Sequence, residues 1–255
     1  MIQNVFKEAM TILSNNWLKI IGMVLLTYFI KLLLGTVPIQ GSVSIRMDPL
    51  AVSSLDSIQS LLIGPLVNSI LFFILLQYII LTKNTMRKRF LTAITYPFRN
   101  ARLLYKGLIV LIISNFLLYL IGMLAIYTVI IFLAIIPVGL NLGTGSIIAG
   151  FIILYGILFW LYLGTSQALY LLHDDPKLGI FRSVKQSFSL MKGNRWSLFG
   201  LFLLTGLGFI IGILLLLVGA IFSIVVYEVA RLAFYRELLR KKRKKEWQDK
   251  VQRVD

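Results

Sequence analysis

Long apolar stretches alternate along this chain with short clusters of Lys and Arg. Five stretches carry almost no charge: 17–37, 59–82, 107–136, 146–172 and 197–235. Each of the first four exceeds the roughly 18 apolar residues typical of a transmembrane helix, and the fifth is long enough for two. Because backbone polar groups in lipid need partners within their own segment, all of these stretches are predicted to be helical.

The pattern predicts an all-α polytopic membrane bundle of six transmembrane helices, arranged as three hairpins. The fifth stretch is divided by a turn near Gly219, so the predicted spans are 17–37, 59–82, 107–136, 146–172, 197–216 and 219–238. They form one integral membrane domain over residues 1–240, followed by a basic tail, 241–255. A composition of 58% hydrophobic and 14% charged residues agrees, because soluble domains are far less apolar.

The basic residues indicate how the chain is oriented. Of 26 Lys and Arg residues, 23 lie before or at the start of the first span, between spans two and three, between spans four and five, or from Arg236 at the end of span six onward. The loops predicted on the opposite side contain only Arg46. Since cytoplasmic loops are enriched in Lys and Arg, both termini are predicted to be cytoplasmic. The net charge of +16 therefore indicates topology and attraction to anionic lipid headgroups, and no nucleic-acid partner is expected.

An amphipathic segment precedes each predicted hairpin, at 3–16, 86–105 and 176–192. Apolar residues at helical spacing are typical of a helix that lies in the membrane interface. For the third segment, Asp175 is predicted to be the N-cap, Pro176 the first helical residue and Gly193 the stop, so these three form a structural turn. Either an internal duplication or the general character of interfacial helices accounts for the threefold plan.

A signature within 172–201 carries a family resemblance. Leu-His-Asp-Asp-Pro at 172–176 precedes Ser-Val-Lys-Gln-Ser-Phe-Ser-Leu-Met-Lys-Gly-Asn-Arg-Trp at 183–196 and Leu-Phe-Gly-Leu at 198–201. This order resembles an uncharacterised bacterial integral-membrane family, domain-of-unknown-function family nine-seven-five, and implies a multi-pass protein of the bacterial cell membrane. The family resembles the membrane domain that precedes the catalytic barrel of some glycerophosphodiester phosphodiesterases. No such barrel is expected in this sequence.

Residues suited to catalysis are sparse. The single histidine, His173, lies in a predicted turn and is interpreted as a bystander, and the adjacent Asp174 and Asp175 point apart. No metalloprotease, nucleophile-elbow or nucleotide-binding motif is present. We therefore expect no catalytic residues, no cofactor and no metal site.

Two charged residues fall well inside the last predicted span, before Arg236 and Glu237 at its end. Glu228 and Arg231 are three positions apart and share one helical face, which makes them a candidate intramembrane pair. They either face the bundle as a buried charge pair, or form a local pair in which Arg231 snorkels to the headgroups.

The segment 174–196 is the strongest candidate for function. An apolar stripe is predicted at Ile180, Phe181, Val184, Phe188 and Met191. Six residues are candidate contacts for lipid headgroups or a protein or peptide partner: Lys177, Arg182, Lys185, Lys192, Arg195 and Trp196. The alternative is a plain surface connector.

The favoured function is a non-catalytic membrane module that binds lipid or amphipathic peptides, in envelope homeostasis or peptide-toxin immunity. The alternative function is a small transporter or permease subunit.

Overall fold

The computed structural model describes residues 1–14, 16–33, 54–83, 89–135, 142–214 and 218–252. Within these ranges all regular secondary structure is helical, which confirms the predicted fold class at that level. The helices in the described ranges are α1 (Ile2–Ser14), α2 (Trp17–Leu33), α3 (Ser54–Lys83), α4 (Arg89–Arg99), α5 (Ala101–Ile135), α6 (Leu142–Thr165), α7 (Ala168–Asp174), α8 (Ile180–Met191), α9 (Arg195–Leu214) and α10 (Val218–Val251).

Four helical segments among the described residues are long and apolar enough to cross a membrane. They are Gly64–Thr82 in α3, Ala101–Ile131 in α5, Ile148–Asp174 across α6 and α7, and Arg195–Leu214, which is α9. α1 and α2 meet the same criterion only when they are counted together as one bent segment, and their axes differ in direction by 99°. The chain is therefore a membrane protein by the length and apolarity of its helices.

The outer surface of the bundle is apolar along several of these segments. α5, α6 and α9 expose large side chains such as Phe116, Ile153 and Leu207. Apolar surface this extensive is not found on soluble monomers, and it fits helices that face lipid.

The largest core surrounds α10. Val225, Val229 and Phe234 of α10 are fully buried among side chains from α1, α2, α3 and α9. Gly212 of α9 lies directly against the backbone of Gly219, where any side chain would collide. The two glycines therefore let the end of α9 and the start of α10 approach closely, on either side of residues 215–217 in the sequence.

A second, smaller core joins α3, α5 and α7 through Phe73, Leu103, Val110 and Leu172. α1 is not a free interfacial helix, because its apolar face is buried in the core around α10, with Val5 and Ala9 fully covered. α4 differs: its apolar side chains Phe90, Leu91 and Phe98 are exposed, as the prediction of an interfacial helix requires.

One predicted boundary differs from the structure. The segment 86–105 divides at Asn100, so α4 ends at Arg99 and the next helix begins at Ala101, before the predicted span start at 107; residues 86–88 of this prediction lie outside the described residues. The predicted span 146–172 coincides closely with the apolar segment Ile148–Asp174, in which a turn at Ser166 and Gln167 separates α6 from α7.

Candidate functional site: a basic surface and an intramembrane polar cluster

The turn between α7 and α8 differs from its prediction. Asp175 ends α7 and accepts a hydrogen bond at Oδ1 from the backbone N–H of Lys177, at 3.0 Å. α8 begins only at Ile180, with Gly179 as its N-cap and no side-chain cap. The predicted capping of a helix at Pro176 by Asp175 is therefore wrong, since the carboxylate closes a short turn instead.

Lys106 holds this turn from α5. Its ammonium group donates to the backbone oxygens of Pro176 and Leu178, each at 2.7 Å. Gly193 ends the segment as predicted, with a φ of +77°, a conformation that strongly favours glycine.

The buried face of α8 also differs from the predicted stripe. Ser183, Ser187 and Met191 are fully buried, whereas Phe181 is 91% exposed. The Ser187 hydroxyl donates to the Gly164 carbonyl at 2.6 Å and accepts from the Gln167 backbone N–H at 3.2 Å. α8 is thus docked through a serine onto the break between α6 and α7, and Phe181 is left on the surface.

Arg195 lies apart from the other candidate contact residues. Lys177, Arg182, Lys185, Lys192 and Trp196 are exposed, as contact with headgroups requires, and Trp196 retains 75% of its accessible surface. Arg195 retains only 7%, so its predicted placement at the headgroup surface was wrong. Its guanidinium stacks over the Trp160 ring at 4.0 Å and lies 5.2 Å from the Phe188 centroid. These aromatic faces offset part of the cost of burying the charge.

A groove with basic walls lies where the α8–α9 turn meets the exposed half of α10. We call it the basic groove; it has a volume of about 470 Å³, and its lining includes Lys192, Gly193, Asn194, Lys241, Lys242 and Lys245. The Lys241 ammonium donates to Asn194 Oδ1 at 3.1 Å, which ties α10 to the turn. Among the residues the structure describes, no carboxylate lines this groove.

Ion pairs on the neighbouring side of α10 hold α1. Glu8 lies 2.8 Å from Arg240 and 3.9 Å from Arg236, and Glu237 lies 3.5 Å from Arg240. The Lys241 ammonium also lies 3.2 Å from the Met1 sulfur. The beginning of the chain and the basic run of α10 therefore occupy the same end of the bundle.

A polar cluster lies inside the bundle around the predicted pair. Arg231 Nη1 is 4.0 Å from Glu228 Oε2, and the Tyr28 hydroxyl donates to Glu228 Oε1 at 2.9 Å. The Arg231 guanidinium lies between the rings of Tyr227 and Tyr170, 5.5 and 5.8 Å from their centroids. The structure thus places α2, α7 and α10 around one mostly buried carboxylate and one guanidinium whose side chain is 22% exposed.

His173 belongs to a second polar cluster that joins four helices. Its Nε2 lies 2.8 Å from Gln77 Oε1, and its backbone oxygen accepts from the Tyr96 hydroxyl at 3.4 Å. The neighbouring Asp174 accepts a hydrogen bond from the Tyr235 hydroxyl at 2.5 Å. Burial, together with the Asp174 carboxylate, raises the pKa of the Tyr96 phenol. This cluster holds α3, α4, α7 and α10 together.

Residues 3–242 match the sequence model of a family described as a protein of unknown function (DUF975). The chain belongs to this family. No curated protein and no solved structure matches it. The matched range of the DUF975 chain runs from α1 into the basic run of α10, and it includes both polar clusters and most of the basic groove.

In this DUF975 protein, the candidate sites are therefore the basic groove and the two polar clusters. Across the described ranges, no three His, Asp or Glu side chains converge as a metal site would require. The basic groove offers ammonium groups to an anion, and the polar cluster around Glu228 offers one carboxylate and one guanidinium.

The sequence did not single out Tyr28 or Lys106, which contact Glu228 of α10 and the turn between α7 and α8. A polar residue at helical spacing within an apolar run was the available signal for Tyr28. Nothing in the local sequence points from Lys106 to the turn that it holds.

Proposed function

We propose that the chain is a non-catalytic, multi-pass protein of the bacterial cell membrane that binds anionic lipid headgroups, or amphipathic peptides at the same surface. The observation that carries this proposal is the position of the α10 basic run against the α8–α9 turn. Lysines from two distant parts of the chain combine into one positive surface beside the start of an apolar span. Such a surface attracts anionic headgroups at about 1 kcal/mol for each basic residue near the membrane.

We further propose six spans with both termini cytoplasmic, which adds α2 and α10 to the four apolar segments. Contacts of α1 with α10 support an even number, because Glu8 and Arg240 bring the two ends of the chain to the same side. The excess of basic residues at that side supports its cytoplasmic location.

Peptide binding would use the apolar side chains next to this charge. Phe181 on α8 and Phe90, Leu91 and Phe98 on α4 are exposed beside basic residues, which suits an amphipathic partner. A module with these properties would act in envelope homeostasis or in immunity to peptide toxins.

Lipid selectivity tests the proposal. We expect the full chain in mixed bilayers to enrich spin-labelled phosphatidylglycerol over spin-labelled phosphatidylcholine in the motionally restricted fraction of the electron paramagnetic resonance spectrum. Added salt should reduce this enrichment, because salt screens exposed charges. Replacing Lys241, Lys242, Arg243 and Lys244 with Gln should remove most of it.

A charge-conserving control replaces Lys241, Lys242 and Lys244 with Arg and should keep the enrichment. Equal restriction of the two labels, or an enrichment that salt leaves unchanged, would contradict anionic lipid binding.

A small transporter is the second candidate, and the intramembrane cluster is the observation that favours it. Charged side chains inside a bundle are costly and often mark substrate paths, and Glu228 and Arg231 are such a pair. A transporter would lose flux when Glu228 is replaced by Gln, while its selectivity for anionic lipid would be unchanged.

A further inference from the structure

The basic groove differs from a general positive surface in how its charges converge. Lys245 follows Lys241 by four residues and Lys242 by three, and both spacings bring side chains together on the surface of a helix, here α10. Lys192 approaches from the opposite wall, at the end of α8. Four lysines from two elements therefore line one volume of about 470 Å³, large enough for a lipid headgroup.

Most of this positive charge is not neutralised by the protein. Lys242 has a partner in Glu246 at 3.8 Å, but both side chains of this pair are more than half exposed, so water weakens it. Lys241 is bound to Asn194, a neutral amide that leaves its charge uncompensated. The nearby carboxylates Glu8 and Glu237 are paired with Arg240. An anion in the groove would thus face a net excess of ammonium charge.

The position of the groove selects a membrane ligand. Its wall at Gly193 and Asn194 leads directly into α9, the apolar segment Arg195–Leu214. Trp196 is 75% exposed at the start of that segment, where indole side chains typically lie at headgroup depth. A headgroup can therefore enter the groove while its acyl chains stay beside α9.

The charge of the groove favours a phosphomonoester over a phosphodiester. A phosphodiester headgroup such as phosphatidylglycerol carries one negative charge at neutral pH. A phosphomonoester has a second ionisation near pH 6, and nearby ammonium groups favour the doubly charged form. A phosphomonoester also presents three unsubstituted oxygens to lysine donors. We propose that the basic groove is a discrete site for the phosphomonoester headgroup of a phosphatidate-type lipid, an inference that rests on the proposed lipid-binding function.

Native mass spectrometry of the full chain in neutral detergent tests this site, with phosphatidate and phosphatidylglycerol titrated separately. The groove variant replaces Lys192, Lys241 and Lys245 with Gln. The matched control replaces Lys7, Arg102 and Lys250 with Gln; all three are exposed, lie outside the groove and remove the same charge. The wild type should bind phosphatidate more tightly than phosphatidylglycerol. The groove variant should lose about tenfold or more of its phosphatidate affinity, while the control keeps it.

A further variant, in which Lys192, Lys241 and Lys245 are each replaced by Arg, should retain phosphatidate binding. This variant keeps the charge, so it distinguishes an effect of lost charge from an effect of lost folding. Equal weakening in the groove variant and the control would overturn the discrete site but leave general binding of anionic lipid intact. Absence of anionic lipid binding by the wild type would overturn the proposed function as well. Equal occupancy by soluble glycerol 3-phosphate would overturn the assignment to a membrane lipid.

Discussion

Glu228 holds two partners inside the bundle, the Tyr28 hydroxyl at 2.9 Å and the Arg231 guanidinium at 4.0 Å. Replacing Glu228 with Gln keeps the shape of the side chain but leaves Arg231 as a buried charge without a counter-ion. We expect this change to lower the free energy of unfolding by about 3–5 kcal/mol. The Tyr28→Phe variant should lose only about 1.5–3 kcal/mol, because one hydrogen bond to a charged group is removed.

Unfolding of the purified variants in detergent measures both effects. A Glu228→Gln/Arg231→Gln double variant is the control and should recover part of the loss, because it removes the uncompensated charge. If Glu228→Gln is as stable as the wild type, Arg231 snorkels to the headgroups and the buried pair does not exist.

The sequence shows which side chains carry charge or hydrogen-bonding groups, but not which of them are buried. The prediction of Arg195 as a headgroup contact followed from its place in a basic cluster, yet its guanidinium is buried beside Trp160. His173 was predicted to lie in a turn, yet it is part of α7 and contacts Gln77. Both outcomes depend on helices that are distant in sequence, which periodicity within one segment cannot detect.

Among the helices, α8 depends on a single serine for its position. Ser187 makes two hydrogen bonds at the break between α6 and α7, whereas Ser183 bonds only to the Ile180 carbonyl within its own helix. The Ser187→Ala variant should therefore lose about 1–3 kcal/mol of stability, because the buried Gln167 N–H loses its acceptor. Ser183→Ala is the matched control and should change stability by less than about 1 kcal/mol.

Thermal unfolding of the two serine variants in the same detergent decides this point. Equal losses for both serines would show that α8 is held by general packing and not by its contact with Gly164 and Gln167.

The same contacts explain why α8 was predicted only in part. Apolar residues at helical spacing correctly indicate a helix here, and Gly193 correctly indicates where the segment stops. Both signals are local, because each depends only on residues close together in the sequence. The buried face was misjudged at Phe181, which is exposed, whereas Ser187 and Phe188 of α8 lie against Gly164, where an added Cβ would collide with Phe188. The later start of α8 follows from the turn held by Lys106, another distant contact.

At the scale of the whole molecule, hydropathy predicts most of the architecture, because a membrane requires long apolar helices regardless of tertiary detail. The apolar segments in α3, α5, α6–α7 and α9 coincide with predicted spans. α10 is harder to recognise as a span, since Glu228 and Arg231 interrupt its apolar run. The burial of α1 against α10 was not predictable, because it depends on Glu8 and Arg240, which are far apart in sequence.

In the proposed topology, the basic surface faces the cytoplasm and the predicted loop 38–58 faces the opposite side. Because the chain contains no cysteine, single cysteines can report this arrangement without background. Suitable positions are Gln186 and Gln248, which are exposed on the basic side, and Ser53, which lies outside the described residues in the loop predicted to be external.

Labelling of intact cells with a membrane-impermeant thiol reagent is the most direct test. The account predicts that the Ser53→Cys variant reacts in intact cells, whereas Gln186→Cys and Gln248→Cys react only after the membrane is permeabilised. Reaction of Gln186→Cys or Gln248→Cys in intact cells, with Ser53→Cys protected, would contradict the proposed orientation and, with it, the cytoplasmic lipid-binding surface.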